Sequence, residues 1–416
     1  MPIRFLYKEV TTIPAFMSTA IPIVIFVLIL GVVVFIHEMG HFIMARRAGV
    51  FVEEFAIGMG PKLVGFKGKS KKFTVSKHEY DGDDYDEHKS DNLTWHNASM
   101  AEHELIHVQE STQFSLRLFP IGGFCKMRGA DESIPGDSGS LSNKKVSERM
   151  LVIAGGSIFN FIMAFVLFFI LVLLTGYNVA QVHTVHEGTP AYNAGLQVGD
   201  RITHINGRRV ALFEDFVIQL DFSGGEPIDV RFVRDGSVQN IVVTPMRVGE
   251  SSFRLGFQSV RYLGLLGQGP ETLPSVTLWG TITTSAEMIL FNMRMPFTLL
   301  ARLIAGNNMP EGAGVMGPIG MAGEVTVIYQ QVIEYGILDT LLTMLFFMAL
   351  LNAALGVMNL LPIPALDGAR LIFLGLEGIR RKPVSPEREG MVHMVGFVVL
   401  MVLAVFIAYR DIVRLL

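Results

Sequence analysis

Cysteine and charge are both scarce in this sequence. Cys125 is the only cysteine among 416 residues, which excludes an internal disulfide framework and a zinc site built from thiolates. Charged residues make up 17% of the chain, and 34 lysines and arginines nearly balance 38 aspartates and glutamates, for a formal net charge of -4. Without a basic excess, the chain is not expected to bind nucleic acid.

Long apolar runs take the place of charge. Half of the residues are hydrophobic and the mean hydropathy is +0.44, which is high for a soluble chain. Four segments of mostly apolar residues are long enough to cross a membrane, at about 21–45, 151–174, 337–361 and 391–409. The first is too long for a cleavable signal peptide and lacks a small-residue cleavage site. We therefore expect a polytopic α-helical membrane protein with about four transmembrane helices.

The first apolar segment contains an H-E-x-x-H motif made by His37, Glu38 and His41. Histidines four residues apart lie on one face of a helix, where both imidazoles can reach a single Zn²⁺. Glu38 lies between them, where it can take a proton from a metal-bound water. Ionisable groups inside a membrane are costly unless they have partners. The motif therefore predicts one zinc ion per chain, with Glu38 as the catalytic base.

A tetrahedral zinc needs a third protein ligand, and the best candidate is Asp367. It lies in the run from Asn359 to Gly368, in which Pro362 and Pro364 break the third apolar segment. Such a break is tolerated in a membrane protein where the backbone is buried or lines a wet cavity, and it can turn the carboxylate toward the histidines. Asn359 can donate a hydrogen bond to the substrate carbonyl or to the developing oxyanion.

Lysine and arginine predict the topology. Arg46 and Arg47 directly follow the first span, Lys144 and Lys145 precede the second, and a basic cluster at 380–382 lies between the third and fourth. Loops rich in these residues stay in the cytoplasm. We therefore expect both termini and the segment between the second and third spans on the outer side, and an active site that opens toward the cytoplasm.

The segment at 177–250 is typical of a small globular domain. Alternating apolar residues at 201–205 and 228–233 predict strands, and Asn206-Gly207 and Asp235-Gly236 predict tight turns. The run at 189–202 resembles the signature of bacterial PDZ domains, which bind a peptide as an added strand. A domain that only blocks access to the active site is the alternative. The residues expected at a PDZ peptide groove are Gly195, Leu196, Gly199, Asp200 and Ile202.

The stretch at 275–304 mixes Trp279, Ile289, Phe291 and Phe297 with polar residues. It is too polar for a typical span, and we expect a helix lying in the membrane interface. A fifth membrane span is the alternative.

A second H-E-x-x-H motif, made by His103, Glu104 and His107, lies in a polar and acidic insertion at 71–110. No apolar helix surrounds it, and the insertion is expected to be solvated or disordered. The favoured explanation of this second motif is coincidence in a tract rich in histidine and glutamate. An accessory metal site is the next explanation, and a catalytic role is the least favoured.

Taken together, these motifs resemble the site-2 protease family of intramembrane zinc metalloproteases, and in particular its bacterial RseP type with one PDZ domain. The resemblance is carried by the motif at His37, by the run from Asn359 to Gly368 and by the PDZ-like insertion. Two further runs, at 55–61 and 120–124, are similar to the re-entrant β-hairpin or β-loop of that family, which holds the unwound substrate.

The resemblance implies an intramembrane zinc metalloprotease of regulated intramembrane proteolysis in the bacterial cytoplasmic (inner) membrane. His37, His41 and Asp367 would be the zinc ligands, Glu38 would activate water, and Asn359 would steady the substrate or the transition state. The implied partners are the lipid bilayer and single-span membrane proteins, such as anti-sigma factors or remnant signal peptides, first cut by a site-1-type protease. The expected substrate-binding residues are Gly58, Gly60, Pro61, Gly122, Gly123, Pro362 and Pro364.

Two other classes of protein fit parts of the sequence. A membrane receptor or scaffold could use the PDZ-like domain, but it has no need of buried charged groups such as Glu38 and Asp367. An ion transporter could use those groups, but transporters usually contain internal repeats and several broken helices. Only the third span is clearly broken here, and no repeat is visible.

Overall fold

The computed structural model describes residues 15–76, 105–130, 137–248, 252–267, 273–306 and 316–415. These residues form nine α-helices and ten β-strands. They belong to two compact units, which are described separately. The first takes in Met1–Met163, Met316–Met344 and Ala354–Leu416, and the second takes in Ala164–Val315 and Leu345–Ala353.

The elements follow one another in a simple order. The chain begins with helix α1 (Ala15–Arg47), strands β1 (Val52–Ser76) and β2 (Leu105–Met127), and helix α2 (Val146–Thr175). A small domain follows, and its elements are β3 (Gly176–Val185), α3 (Pro190–Asn193), β4 (Arg201–Ile205), β5 (Arg208–Arg209), α4 (Phe213–Ser223), β6 (Ile228–Arg234), β7 (Ser237–Val243), β8 (Met246–Val248), β9 (Ser252–Arg254) and β10 (Phe257–Leu263). The remaining helices are α5 (Leu278–Ile304), α6 (Pro318–Val332), α7 (Ile337–Leu360), α8 (Asp367–Arg380) and α9 (Pro386–Leu415).

Four helices are long and apolar enough to cross a membrane, and they lie on the four apolar segments predicted from the sequence. They run over Ala20–Arg47, Val146–Thr175, Ile337–Leu360 and Glu387–Arg414. Many of their apolar side chains are exposed, as in α9, where Val402 and Val405 are each 67% exposed. Such exposure is favourable when the surrounding solvent is lipid. Among the described residues, α5 is not one of these candidate spans.

Strands β1 and β2 form a long hairpin with several bulges, in which residues 54–57 of β1 pair on both sides, with 123–126 and with 113–116 of β2. Its pairing continues from Lys71↔Glu110 to Ser76↔Leu105, so both ends of the insertion at 71–110 form paired strands where a disordered tract was one expectation. That expectation was wrong at these ends because each strand supplies the other with ladder hydrogen bonds, which composition does not reveal. The part of the insertion at 77–104 lies outside the described residues.

The small domain is built on an antiparallel sheet with strand order β10-β3-β4-β6-β7, and β5 pairs with β4. The predicted strands at 201–205 and 228–233 are confirmed as β4 and β6. Both predicted turns are also confirmed, since Asn206, Gly207, Asp235 and Gly236 all have positive φ, as a tight hairpin turn requires.

The domain extends beyond the boundary predicted at residue 250. Strand β10 pairs with β3 along most of its length, from Phe257↔Val185 to Leu263↔Gly176. The first and last strands of the domain are therefore neighbours in its sheet. A pairing over such a distance in sequence leaves no local signal, which is why the predicted boundary was too early.

Candidate metal centre

Helix α1 supplies the two histidines of the site. His37 and His41 are only 7% and 6% exposed, and their Nε2 atoms lie 3.2 Å apart. The spacing of four residues stacks the two side chains one turn apart on one face of the helix. Two buried imidazoles with their Nε2 atoms at this distance are arranged to share a cation.

Asp367 reaches the histidines because the chain turns sharply after α7. That helix ends at Leu360, and Ala365 in the turn has a φ of +75°. Asp367 is the first residue of α8, and its Oδ2 lies 3.2 Å from the Nε2 atoms of both histidines. A Cβ atom on Gly368 would lie 2.1 Å from the carbonyl oxygen of Leu361, so the turn requires glycine there.

These three atoms fit a zinc ion. Zinc bonds of about 2.1 Å in tetrahedral geometry separate the ligand atoms by about 3.4 Å, close to the 3.2 Å found among the three pairs. Two imidazole nitrogens and one carboxylate oxygen are also a donor set found in catalytic zinc sites, which keep a fourth position open for water or substrate.

Helix α2 also contacts both histidines. The carbonyl oxygen of Val152 lies 3.0 Å from Nδ1 of His41, and the amide nitrogen of Asn160 lies 3.2 Å from Nδ1 of His37. A Cβ atom on Gly156 would come within 2.4 Å of the His37 ring, so only glycine fits there. Groups that bond the second nitrogen of a ligating histidine fix its tautomer and orientation.

The sequence reasoning missed this contribution of the second span. An asparagine in an apolar span was the available signal, since a buried amide needs hydrogen-bond partners. The pair Gly155-Gly156 was a second signal, because small residues let helices approach closely. Gly40 and Gly155 are in such contact, and a Cβ atom on Gly40 would lie 2.2 Å from the carbonyl oxygen of Gly155.

Glu38 lies beside the hairpin. Its Cγ would be 3.4 Å from a Cβ atom on Gly123, and its carboxylate accepts a hydrogen bond from the backbone N–H of Cys125. The carboxylate also interacts electrostatically with the two histidines and with Asp367. Glu38 thus lies between the histidines and strand β2.

Asn359 also belongs to this cluster. Its amide nitrogen lies 3.4 Å from Nε2 of His37, at the last turn of α7. The structure therefore brings together all five residues that the sequence singled out for metal binding and catalysis. They are His37, Glu38, His41, Asn359 and Asp367.

The residues predicted to bind substrate lie on the hairpin and in the turn after α7. Gly58, Gly60 and Gly122 all have φ between +83° and +87°, which favours glycine at the bulges of the hairpin. Pro61 is exposed on β1. Of the two prolines in the turn after α7, Pro362 is exposed, and Pro364 lies where a Cβ atom on Gly396 would approach it to 2.1 Å.

The residues predicted for a PDZ peptide groove occupy the interior of their domain. Leu196 and Ile202 are 4% and 2% exposed and belong to its apolar core. Asp200 is fully buried and accepts hydrogen bonds of 2.7 and 2.6 Å from Arg234. Gly195 and Gly199 have positive φ in the turns around it. Peptide binding at this run stays a prediction, and the three side chains hold the domain together.

The second H-E-x-x-H motif contributes little to the described structure. His103 and Glu104 lie outside the described residues, and His107 belongs to strand β2, paired with Thr74. The three explanations of this motif, which are coincidence, an accessory metal site and catalysis, therefore stay predictions.

A candidate zinc site whose two histidines lie on a helix apolar enough to cross a membrane indicates a membrane-bound metalloprotease. Comparison with known proteins identifies the family. The family model of peptidase family M50, the site-2 proteases, matches residues 25–78 and 98–403, so the chain belongs to this family. It is a zinc metalloprotease and a multi-pass membrane protein.

Similar proteins match along nearly the whole chain. The zinc metalloprotease RasP of Shouchella clausii is 30% identical over 430 residues, which span 94% of this chain and 98% of that protein. RasP of Geobacillus kaustophilus is 29% identical over 433 residues, which span 94% of this chain and 97% of that protein.

The crystal structure of the PDZ domain of an SdrC-like protein from Listeria monocytogenes is 19% identical and covers 20% of this chain and 90% of that domain, with a TM-score of 0.19.

Proposed function

We propose that this protein hydrolyses peptide bonds within transmembrane segments of other membrane proteins, with zinc held by His37, His41 and Asp367. The observation that carries the proposal is the convergence of two Nε2 atoms and one carboxylate oxygen at 3.2 Å from one another, inside apolar helices. Zinc bound there would polarise the scissile carbonyl and make water a better nucleophile.

The side chains around the zinc perform the proton transfers and the positioning. Glu38 takes a proton from the attacking water and delivers it to the leaving amine. Its place between the histidines and strand β2 supports this role. Asn359 donates a hydrogen bond to the substrate carbonyl as negative charge develops on its oxygen. The amide nitrogen of Asn359 lies close to Nε2 of His37, so it can reach the oxygen of a substrate carbonyl at the proposed zinc position.

The substrate has to be unwound before it can be cut, because a helix hides its peptide bonds in its own hydrogen bonds. The hairpin of β1 and β2 offers an edge on which an unwound segment can pair as an added strand. Exposed apolar side chains along the hairpin suit a segment that has left the lipid; they include Met59, Leu63, Val64, Leu116, Leu118 and Phe119. The bulge glycines Gly58, Gly60 and Gly122 let the substrate backbone approach closely. The hairpin would be the re-entrant element of the family.

The substrates are single-span membrane proteins of the anti-sigma-factor or remnant-signal-peptide type, in the bacterial cytoplasmic membrane. The PDZ-like domain lies on the outer side and excludes proteins whose outer part has not yet been removed by a site-1-type protease. The active site opens toward the cytoplasm. These assignments rest on the bias of lysine and arginine in the loops and on the resemblance to the family.

The test is cleavage of a single-span substrate by the purified protein in detergent, for the parent and for Glu38→Gln. General-base catalysis typically contributes about 10²–10⁴-fold, so we expect the variant to lose at least two orders of magnitude in rate. Zinc content should be unchanged, because Glu38 is not a ligand. Glu334→Gln, at an exposed position between α6 and α7, is the matched control and should cut like the parent.

A zinc-loaded Glu38→Gln protein that cuts as fast as the parent would show the catalytic assignment to be wrong. The next candidate would then be the motif at His103. A parent that binds zinc and cuts no membrane substrate would favour the scaffold or the transporter.

A further inference from the structure

Helix α9 buries few of its residues. Most of the stretch at 391–406 is exposed, as suits a helix that faces lipid. Among the described residues of α9, Gly396 and Asp411 are the two that are buried, and Asp411 accepts hydrogen bonds from backbone N–H groups at the start of α6. His393 and Gly396, three residues apart on one face of the helix, contact the turn that precedes Asp367.

The turn at 361–366 has an unfavourable backbone conformation. Ala365 has a φ of +75°, which a residue with a Cβ atom adopts only where the surrounding structure holds it. The N–H groups of Leu361, Ile363 and Leu366 donate to nearby backbone carbonyl oxygens, and the two prolines of the turn have no N–H. Most of the turn therefore satisfies its own hydrogen bonds.

The N–H of Ala365 instead donates to a side chain of another helix. Its acceptor is Nδ1 of His393, at 2.9 Å. Oε1 of Glu389, one turn earlier in α9, lies 3.9 Å from Nε2 of His393, and its negative charge favours a proton on Nε2. That tautomer leaves Nδ1 as the acceptor. Because an N–H group in a break of a membrane span needs a protein partner, His393 stabilises this turn.

Gly396 brings α9 close to the same turn. A Cβ atom on Gly396 would lie 2.1 Å from Cβ of Pro364, so a larger residue would push the turn and the helix apart. The ring of His393 also lies beside that of Phe373 on α8, with 5.9 Å between the centroids. Helix α9 thus contacts both the turn and the helix that begins with Asp367.

The far end of α8 is attached to α2. Arg149 on α2 forms an ion pair with Glu377 on α8, and the two side chains are only 15% and 16% exposed. A Cβ atom on Gly378 would be in ordinary contact with Val146, at 3.7 Å. Helix α2 is also the helix that contacts both histidines. With its far end attached there, α8 has its start, and with it Asp367, placed by the turn.

We propose that α9 positions the zinc ligand Asp367 through His393 and Gly396. The hydrogen bond to His393 and the close contact at Gly396 hold the turn so that the carboxylate lies 3.2 Å from both imidazoles. Neither residue is among the proposed ligands, so each acts through the turn. The inference rests on the proposed role of Asp367 as a ligand. It gives α9, which supplies no ligand, an effect on the affinity for zinc.

The experiment measures the Kd for zinc of the full-length protein in detergent, by competition with a chelator. Two substitutions separate the acceptor of His393 from its ring. His393→Phe keeps a ring beside Phe373 but has no acceptor, and His393→Asn keeps an acceptor oxygen in place of Nδ1 but has no ring. We expect His393→Phe to raise the Kd about 3–10-fold, because one hydrogen bond is lost, and His393→Asn to stay within about twofold of the parent.

A pair of glycine substitutions tests the close contact separately, and it stays informative if His393→Phe fails to fold. Gly396→Ala should raise the Kd for zinc because the added methyl group displaces the turn. Gly390→Ala, on the same helix, is the matched control and should leave the Kd unchanged, since a Cβ atom there has no described atom within 4 Å. Both changes alter helix propensity alike, so the difference between them reports the contact.

Asp367→Ala separates a failure of this inference from a failure of the proposed function. If Asp367→Ala binds zinc as tightly as the parent, the ligand assignment itself is wrong. If it loses zinc while His393→Phe binds as tightly as the parent, the positioning role is overturned. A His393→Asn protein that binds zinc no more tightly than His393→Phe would reduce His393 to a packing residue. Equal affinities of Gly396→Ala and Gly390→Ala would exclude the contact with the turn.

Discussion

At the scale of single residues, each histidine of the site is held by a group on helix α2. A histidine that binds metal through Nε2 carries its proton on Nδ1 and needs an acceptor there. Val152 supplies a carbonyl oxygen to His41. Asn160 faces His37 with its amide nitrogen. The amide oxygen Oδ1 of Asn160 has no hydrogen-bond partner among the described residues. Turning the amide over would give His37 an acceptor, and the two orientations have nearly the same shape.

We predict that Asn160→Leu weakens zinc binding by about 10–100-fold, because His37 loses the group that fixes its orientation. Zinc content after dialysis against graded chelator concentrations measures the change. Asn352→Leu is the matched control, since Asn352 is also fully buried in an apolar helix but donates to the carbonyl oxygen of Met348 at 2.9 Å. Equal losses in the two variants would indicate general damage to the helices and contradict the role of Asn160.

At the scale of elements, the hairpin of β1 and β2 is stabilised by polar contacts that cross it. Glu54 on β1 accepts hydrogen bonds from the Ser115 hydroxyl and, at 2.8 Å, from the Arg117 guanidinium. Arg117 also donates to the carbonyl oxygen of Gly60 at 2.9 Å, beside a bulge. These contacts fix the bulged part of the hairpin, where the ladder of backbone hydrogen bonds is irregular.

The same contacts give the hairpin a pH dependence. Partial burial would raise the pKa of Glu54, but the hydrogen bonds from Ser115 and Arg117 lower it below its usual value. A carboxyl whose pKa is lowered by folding stabilises the folded state above its ordinary pKa of about 4.3, and this contribution is lost as the pH falls through the lowered pKa.

We predict that Glu54→Gln lowers the free energy of opening the hairpin by about 1 kcal/mol near neutral pH. The difference from the parent should shrink as the pH falls through the lowered pKa of Glu54, because the carboxyl then becomes neutral. Hydrogen exchange of the amides of β1 at several pH values measures it. Glu53→Gln should change exchange much less, because its near partner Lys126 is 67% exposed and its contact with Arg128 is as long as 3.8 Å. A difference that does not depend on pH would contradict this account.

At the scale of the whole molecule, the metal site joins elements that are far apart in the sequence. Its ligand atoms come from α1 and from the start of α8, and α2 supports both histidines. The unfolded chain does not hold these groups together, so zinc that binds only the folded protein stabilises it by mass action. At a free zinc concentration 100 times the Kd, this stabilisation is about 2.7 kcal/mol.

We predict that a zinc chelator lowers the unfolding temperature of the parent by several degrees. Glu38→Gln should show the same shift, because it keeps all three proposed ligands. His37→Ala should unfold at a lower temperature and respond little to the chelator. Thermal unfolding in detergent with and without chelator provides the comparison. A full chelator response in His37→Ala would show that zinc is bound elsewhere.

Several features could be predicted from the sequence because their signals are local. An apolar run of about 20 residues defines a membrane span whatever surrounds it. The spacing of His37 and His41 defines a helical face, and Asn206-Gly207 defines a tight turn. Even Asp367 could be found, because two prolines and a glycine next to a carboxylate mark a break in a span. These signals were sufficient for the class of protein and the residues of the candidate site.

Other features were decided only by the tertiary structure, because they depend on contacts between distant segments. The support of the histidines by Val152 and Asn160 arises where α1 and α2 cross. The pairing of β10 with β3 and the hydrogen bond from Ala365 to His393 arise in the same way, each from elements that the sequence keeps apart. Periodicity reports which face of an element is apolar but not which partner covers it, and only the folded chain brings such partners together.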